Sequence, residues 1–133
     1  MSRRKSRQAI LKLLYSWDLG SSNTKNSADK IIEYMSLNEE EISYMVEIFD
    51  RVINNLEKYD QAIEKNLKLW KLQRLAALER NILRIAVAEL DDLNVIPKQI
   101  VINEAVELAK LYCDDKAYKL INGVLANIDL SDA

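Results

Sequence analysis

The stretch QRLAALERNILRIAVAEL, residues 73–90, decides the fold. It contains neither glycine nor proline, and Leu75, Leu78, Ile82, Ile85 and Ala86 recur at the spacing of one helical face. Leu83 and Val87 fall on another face, so a helix here is apolar on more than one side. Such a helix keeps its apolar atoms from water only when other helices surround it. The spacing therefore predicts the central, most buried element of a helical bundle.

Working outward, the segment 67–72 reads as short and irregular. Before it, Asn38 precedes three glutamates, an N-cap followed by acids that suit the positive end of a helix dipole. Ile42, Met45, Val46, Phe49, Val52, Ile53 and Leu56 then follow the 3.6-residue period as the core face of a long helix, and Tyr59 and Ile63 continue it past a kink. A short helix is expected over 28–36, and 20–27, rich in Gly, Ser, Asn and Thr, reads as a flexible loop. The first helix spans about 3–19, with Ile10, Leu13, Leu14 and Trp17 on its buried face. Downstream, 91–96 form an exit turn and Pro97 fits the first turn of the next helix, whose inner face is Val101, Ile102, Ala105, Leu108, Ala109 and Tyr112. Asp114 or Asp115 caps the last helix, packed through Leu120, Ile121, Val124, Leu125 and Ile128. Gly123 is expected to let a neighbour approach closely; helical spacing runs through Asn122-Gly123, which excludes a hairpin turn there.

The expected fold class is thus all-α, a compact bundle of about seven helices forming one domain over 1–133. The chain is of single-domain size, and its 49% hydrophobic and 30% charged residues suit a folded globular protein. Two glycines and one proline are too few for a loop-rich β fold. One cysteine, Cys113, cannot form an internal disulfide, and no signal-peptide or membrane-spanning run is seen, so a cytoplasmic compartment is expected. A basic amphipathic start is also compatible with the surface of an anionic bilayer.

Charge is unevenly placed. Arg3, Arg4, Lys5, Arg7 and Lys12 precede the first acid, Asp18, and the rest of the chain holds the other 14 of 19 basic residues against all 21 acidic ones. A basic arm on an acidic body points to a polyanionic partner, the plain alternative being terminal cations that only aid solubility. Arg4, Gln8, Leu11 and Tyr15 share one helical face with Arg3 and Arg7 alongside. Cations bind phosphates and an aromatic ring stacks on an unpaired base, a combination suited to single-stranded nucleic acid. For Tyr15 alone, packing or a protein contact is an equal reading.

Chemistry is poorly provided for. There is no histidine, the single cysteine cannot build a thiolate zinc site, and two isolated glycines make neither a phosphate loop nor a nucleophile elbow. Pairs such as Glu104 with Glu107, or Asp114 with Asp115, read as solvated faces and caps. No cofactor and no enzymatic activity are expected.

Three blocks carry a family resemblance: RRKSRQAILKLLYSWDL at 3–19, LERNILRIAVAEL at 78–90, and IPKQIVINEAVELAK at 96–110 leading into KLINGVL at 119–125. In this order they resemble the NusB family of transcription antitermination factors over nearly the whole chain, with 20–59 the least diagnostic part. The resemblance implies an all-helical bundle in two subdomains that binds boxA RNA of nascent ribosomal RNA transcripts. It does so with NusE, a small-subunit ribosomal protein, and helps assemble the antitermination complex on RNA polymerase with other Nus factors.

By position, the resemblance implies RNA contacts at Arg3, Arg4, Lys5 and Arg7, the residues of the basic stripe, which Lys12 and Tyr15 extend. Tyr15 and Glu79 fall where the family meets NusE or the RNA edge, and Lys116, Lys119 and Leu120 form a second RNA-facing patch. Leu120 stands where relatives often carry an aromatic ring, and Lys116 stands where an acid can stand; the lysine is expected to favour phosphate rather than oppose it. The alternatives are a NusB-like accessory domain of an RNA methyltransferase and a protein-only module. A homodimer that covers the basic helix is left open.

Overall fold

A computed structural model describes residues 3–68, 71–92 and 96–130. These residues form seven α-helices and one 3₁₀ turn and contain no strand: α1 (Arg4–Asp18), α2 (Thr24–Met35), α3 (Glu39–Asn54), α4 (Leu56–Glu64), the 3₁₀ turn Leu72–Arg74, α5 (Ala77–Leu90), α6 (Lys98–Tyr112) and α7 (Ala117–Ala126). Two groups of helices meet on α5. On one side α1 packs against α2 and α3; on the other α6 packs against α7; α5 touches α1, α3, α4, α6 and α7. Buried side chains from Ala9 to Leu125 join both groups in one apolar cluster.

The central position expected for 73–90 is met by α5, in which every residue from Asn81 to Glu89 is buried. The helix is shorter than its apolar spacing suggests, beginning at Ala77, with Lys71, Leu75 and Ala76 extended. Leu72 and Leu75 are nonetheless buried. The 3₁₀ turn closes on its own backbone bonds, and the Arg80 guanidinium ties it to α5 by donating to the Leu75 carbonyl at 3.0 Å, with the Gln73 and Leu72 carbonyls at 3.4 and 3.5 Å. Parts of the expected irregular segment 67–72 and exit turn 91–96 fall on 69–70 and 93–95, outside the described residues.

The long helix beginning after Asn38 has a reciprocal capping box, Asn38 Oδ1 accepting from the Glu41 N–H and Glu41 Oε1 from the Asn38 N–H. The expected kink is a full break at Asn55, whose side chain donates to the Arg51 carbonyl, and Tyr59 and Ile63 are buried from α4. Val46, expected in the core, is 45% exposed. The loop expected over 20–27 is shorter, because Asn23 Oδ1 accepts from the Asn26 N–H and starts α2 at Thr24. Gly20 takes a φ of +98°, the left-handed region open to glycine at little cost. Gly123 makes no close approach: a Cβ built there meets nothing within 4 Å. Asp114, one of two expected caps, accepts from the Lys116 and Ala117 N–H groups.

Candidate nucleic-acid interface

The first turn of α1 has no acid to balance it. Its cations fall into two kinds. Arg3 lies with its guanidinium 4.3 Å from the centroid of the Tyr44 ring on α3, Arg4 is exposed and donates to Glu104 on α6 at 3.0 Å, and Lys5 reaches the Ser36 carbonyl at 3.2 Å. These three sit at the surface where α1 begins, Arg4 exposed and Arg3 and Lys5 half-buried.

Arg7 differs. Although aligned with the stripe in sequence, it is only 5% exposed, and its Nε and Nη2 bind the Glu89 carboxylate at 2.8–3.0 Å while Nη1 reaches Glu104 at 3.3 Å. Glu89, itself 2% exposed, also accepts from the Tyr44 hydroxyl. Burial opposes the Arg7 charge, but the hydrogen bond and charge of Glu89 more than offset it. Burial and the same carboxylate push the Tyr44 phenol upward, so it stays protonated and donates. The guanidinium expected to contact RNA is committed, in the folded chain, to Glu89 and Glu104 and ties α1 to α5 and α6. No local pattern announces this partnership, since Arg7 and Glu89 stand 82 residues apart.

Farther along α1, Lys12 is half-buried with its ammonium 5.2 Å from the centroid of the Tyr112 ring, and Tyr15 is 39% exposed. Trp17 packs against the core as expected, under the Arg84 guanidinium. A second buried network closes this end of the helix: Asp18 accepts from Arg80, Asn81 and Arg84, and Arg84 forms a bidentate pair with Asp60 on α4. Both ends of α1 are thus locked by arginine–carboxylate networks, which fixes the direction in which its exposed face points.

Of the remaining expected residues, Glu79 is half-buried at the start of α5. Burial and the nearby Asp114 charge raise its carboxyl above the usual range. The same environment pushes the Cys113 thiol up to about 11, the opposite of what a reactive cysteine requires. Lys116 and Lys119 are exposed around the first turn of α7, and Leu120 is half-buried against the core beside Lys119. The structure therefore places the expected residues as a rim at the start of α1, an exposed ring farther along it, and a lysine patch on α7. Among the described residues no group of His, Cys, Asp and Glu is arranged to hold a metal, and no helix is long and apolar enough to cross a membrane.

A helical scaffold that locks its first helix from inside and displays cations outside defines a small binding protein. Its profile is that of one family, matched over residues 4–129, and the chain belongs to the NusB family. It is 34% identical over 128 residues to the transcription antitermination protein NusB of Finegoldia magna, covering 96% of this chain and 93% of that protein. It is 35% identical over 132 residues to the NusB of Listeria welshimeri, covering 99% of each. Among solved structures, it superposes with a TM-score of 0.83 on a chain of the crystal structure of the antitermination factors NusB and NusE in complex with dsRNA. The two are 34% identical, over 93% of this chain and 92% of that one.

Proposed function

We propose that this protein is a transcription antitermination factor that binds boxA RNA of nascent ribosomal RNA transcripts together with NusE and joins them to the RNA polymerase antitermination complex with other Nus factors. The observation that carries the reading is the α1 rim, where Arg3, Arg4 and Lys5 cluster at the surface, Arg4 exposed, on a helix anchored by the buried Arg7–Glu89 pair. Phosphates are captured by the rim, and NusE completes a surface that reads unpaired bases. Tyr15 and Glu79 are the NusE-side residues, and Lys12, Lys116, Lys119 and Leu120 carry the RNA path beyond the rim. Antitermination proteins matched over nearly all their length favour this reading over a methyltransferase accessory domain. The known complex containing NusB, NusE and RNA supports both partners.

Binding of labelled boxA RNA, a scrambled strand and a duplex control, with and without NusE, across a salt series, tests the reading. Preference for boxA that strengthens with NusE is expected, the coupling being about 1–3 kcal/mol and equal for either order of addition. Equal, feeble binding of all RNAs in every condition would overturn it and leave a protein-only module.

A further inference from the structure

A second basic region lies away from the start of α1. Residues 65–74 contain Lys65, Lys68, Lys71 and Arg74 at intervals of three, with no acid among them, in a body whose acids outnumber its bases. In the structure Lys65 and Lys68 form one side of a groove of about 410 Å³, and Lys119 on α7 forms the other. Asn66 and Asn127 also line it, each fixed by a side-chain hydrogen bond to a backbone carbonyl. Leu120 and the open surface at Gly123 complete its floor.

The charges of this groove are uncommitted. Arg51, Lys58, Arg80, Arg84 and Lys110 elsewhere on the body are each paired with a carboxylate. Among the described residues none of the three groove lysines is in an ion pair, and no carboxylate lines the groove. Three ammonium groups lining one groove without a counter-ion among the described residues attract a polyanion, and each phosphate they neutralise releases condensed counter-ions.

We propose that this groove is a phosphate-backbone site for single-stranded RNA, in which Lys65 and Lys68 extend the Lys119 and Leu120 patch past α7 and hold nucleotides flanking boxA. The inference rests on the function proposed above, since Lys119 belongs to both surfaces. Its lysines act as point charges on the backbone and read no base, so they add affinity for longer RNA without changing sequence preference.

The test compares the parent protein with Lys65→Ala/Lys68→Ala and Lys65→Glu/Lys68→Glu variants. Each is titrated, with NusE present, with a boxA-length RNA and with RNAs extended by about six nucleotides at either end. The parent is expected to bind one extended RNA more tightly than the short one. The alanine variant should lose that gain, bind the short RNA within about twofold of the parent, and show a salt slope on the extended RNA smaller by about 1.4, or about 0.7 per lost single-strand phosphate contact. The glutamate variant should bind the extended RNA more weakly than the short one. The substituted side chains are exposed, so unchanged thermal unfolding is expected and separates binding from folding. If extension brings no gain in the parent, or the gain survives both variants, the groove assignment is overturned while boxA binding stands. Weakened NusE binding with unchanged RNA binding overturns it in favour of a protein face. Absence of all RNA binding by the parent overturns the groove and the proposed function together.

Discussion

At the start of α1, Arg4 and Arg7 share Glu104, Arg7 also takes Glu89, and Arg3 covers Tyr44; in the groove between α4 and α7, Lys65, Lys68 and Lys119 line a surface that holds no carboxylate among the described residues. The first region is richer in charge by sequence, yet part of that charge is spent inside the protein. The second is sparser, yet its charges stay available. Arginine serves the first role because its planar fork satisfies a buried carboxylate in two directions, and lysine the second because its compact ammonium remains hydrated until a phosphate arrives. Counting cations along a chain therefore measures neither anchoring nor binding until the partner of each cation is known.

The largest effect expected from this contrast is at Arg7. Arg7→Ala leaves Glu89 buried without its cation and should destabilise the fold by about 3–5 kcal/mol, read by urea denaturation. An Arg7→Ala protein as stable as the parent but impaired in RNA binding would break the comparison and return Arg7 to the binding arm. A triple substitution of Arg3, Arg4 and Arg7 mixes the two effects, so the informative variant is Arg3→Ala/Arg4→Ala. There stability should change little, because the Arg4–Glu104 pair is exposed on the arginine side. RNA affinity should fall, with a salt slope smaller by about 1.4 for two lost contacts.

The two glycines sharpen the same contrast on a smaller scale. Gly20→Ala forces a side chain into a positive φ at the end of α1 and should destabilise by about 1 kcal/mol. Gly123→Ala, on an open helical surface in the groove, should stabilise by about 0.5–1 kcal/mol in thermal unfolding. A loss of stability at Gly123 would mean that something approaches the groove floor in the folded protein.

The smallest expected effect is at Glu79, whose carboxyl is raised by burial and by Asp114. The folded state holds this proton more tightly than the unfolded chain does. Its contribution to stability is therefore complete below the ordinary carboxylate range and is lost as pH rises through the raised value. Glu79→Gln should be slightly more stable than the parent at neutral pH, and the difference should vanish below about pH 4, near the ordinary glutamate value. Melting curves across that range check the sign.

Helix existence was legible because burial on one side leaves a period of 3.6 in the sequence, as in α1, α3, α6 and α7. Helix ends were less so. Nothing in residues 71–76 marks the linker before α5, because Leu72 and Leu75 keep helical spacing although Leu72 opens a 3₁₀ turn and Leu75 is extended, its carbonyl held by Arg80. Asn55 ends α3 through its own side chain without the glycine or proline that usually signals a break. Of the RNA-facing candidates, Arg3 and Arg4 lie on the rim, whereas Arg7 does not. Lys65 and Lys68 carried a signal, a run of cations without acids, that was overshadowed by the stronger arm at the start of the chain.

The sequence by itself determined which segments are helical, which faces are apolar and how much charge of each sign they carry, since these depend on neighbours within a few residues. Only the tertiary structure decided what each charge does. A guanidinium at position 7 becomes an anchor because the folded chain brings to it a carboxylate from position 89, and ammonium groups at 65, 68 and 119 are brought none among the described residues. Such pairings are made across distances in sequence over which no local pattern operates, and burial then fixes them, since a buried charge without its partner is too costly to keep.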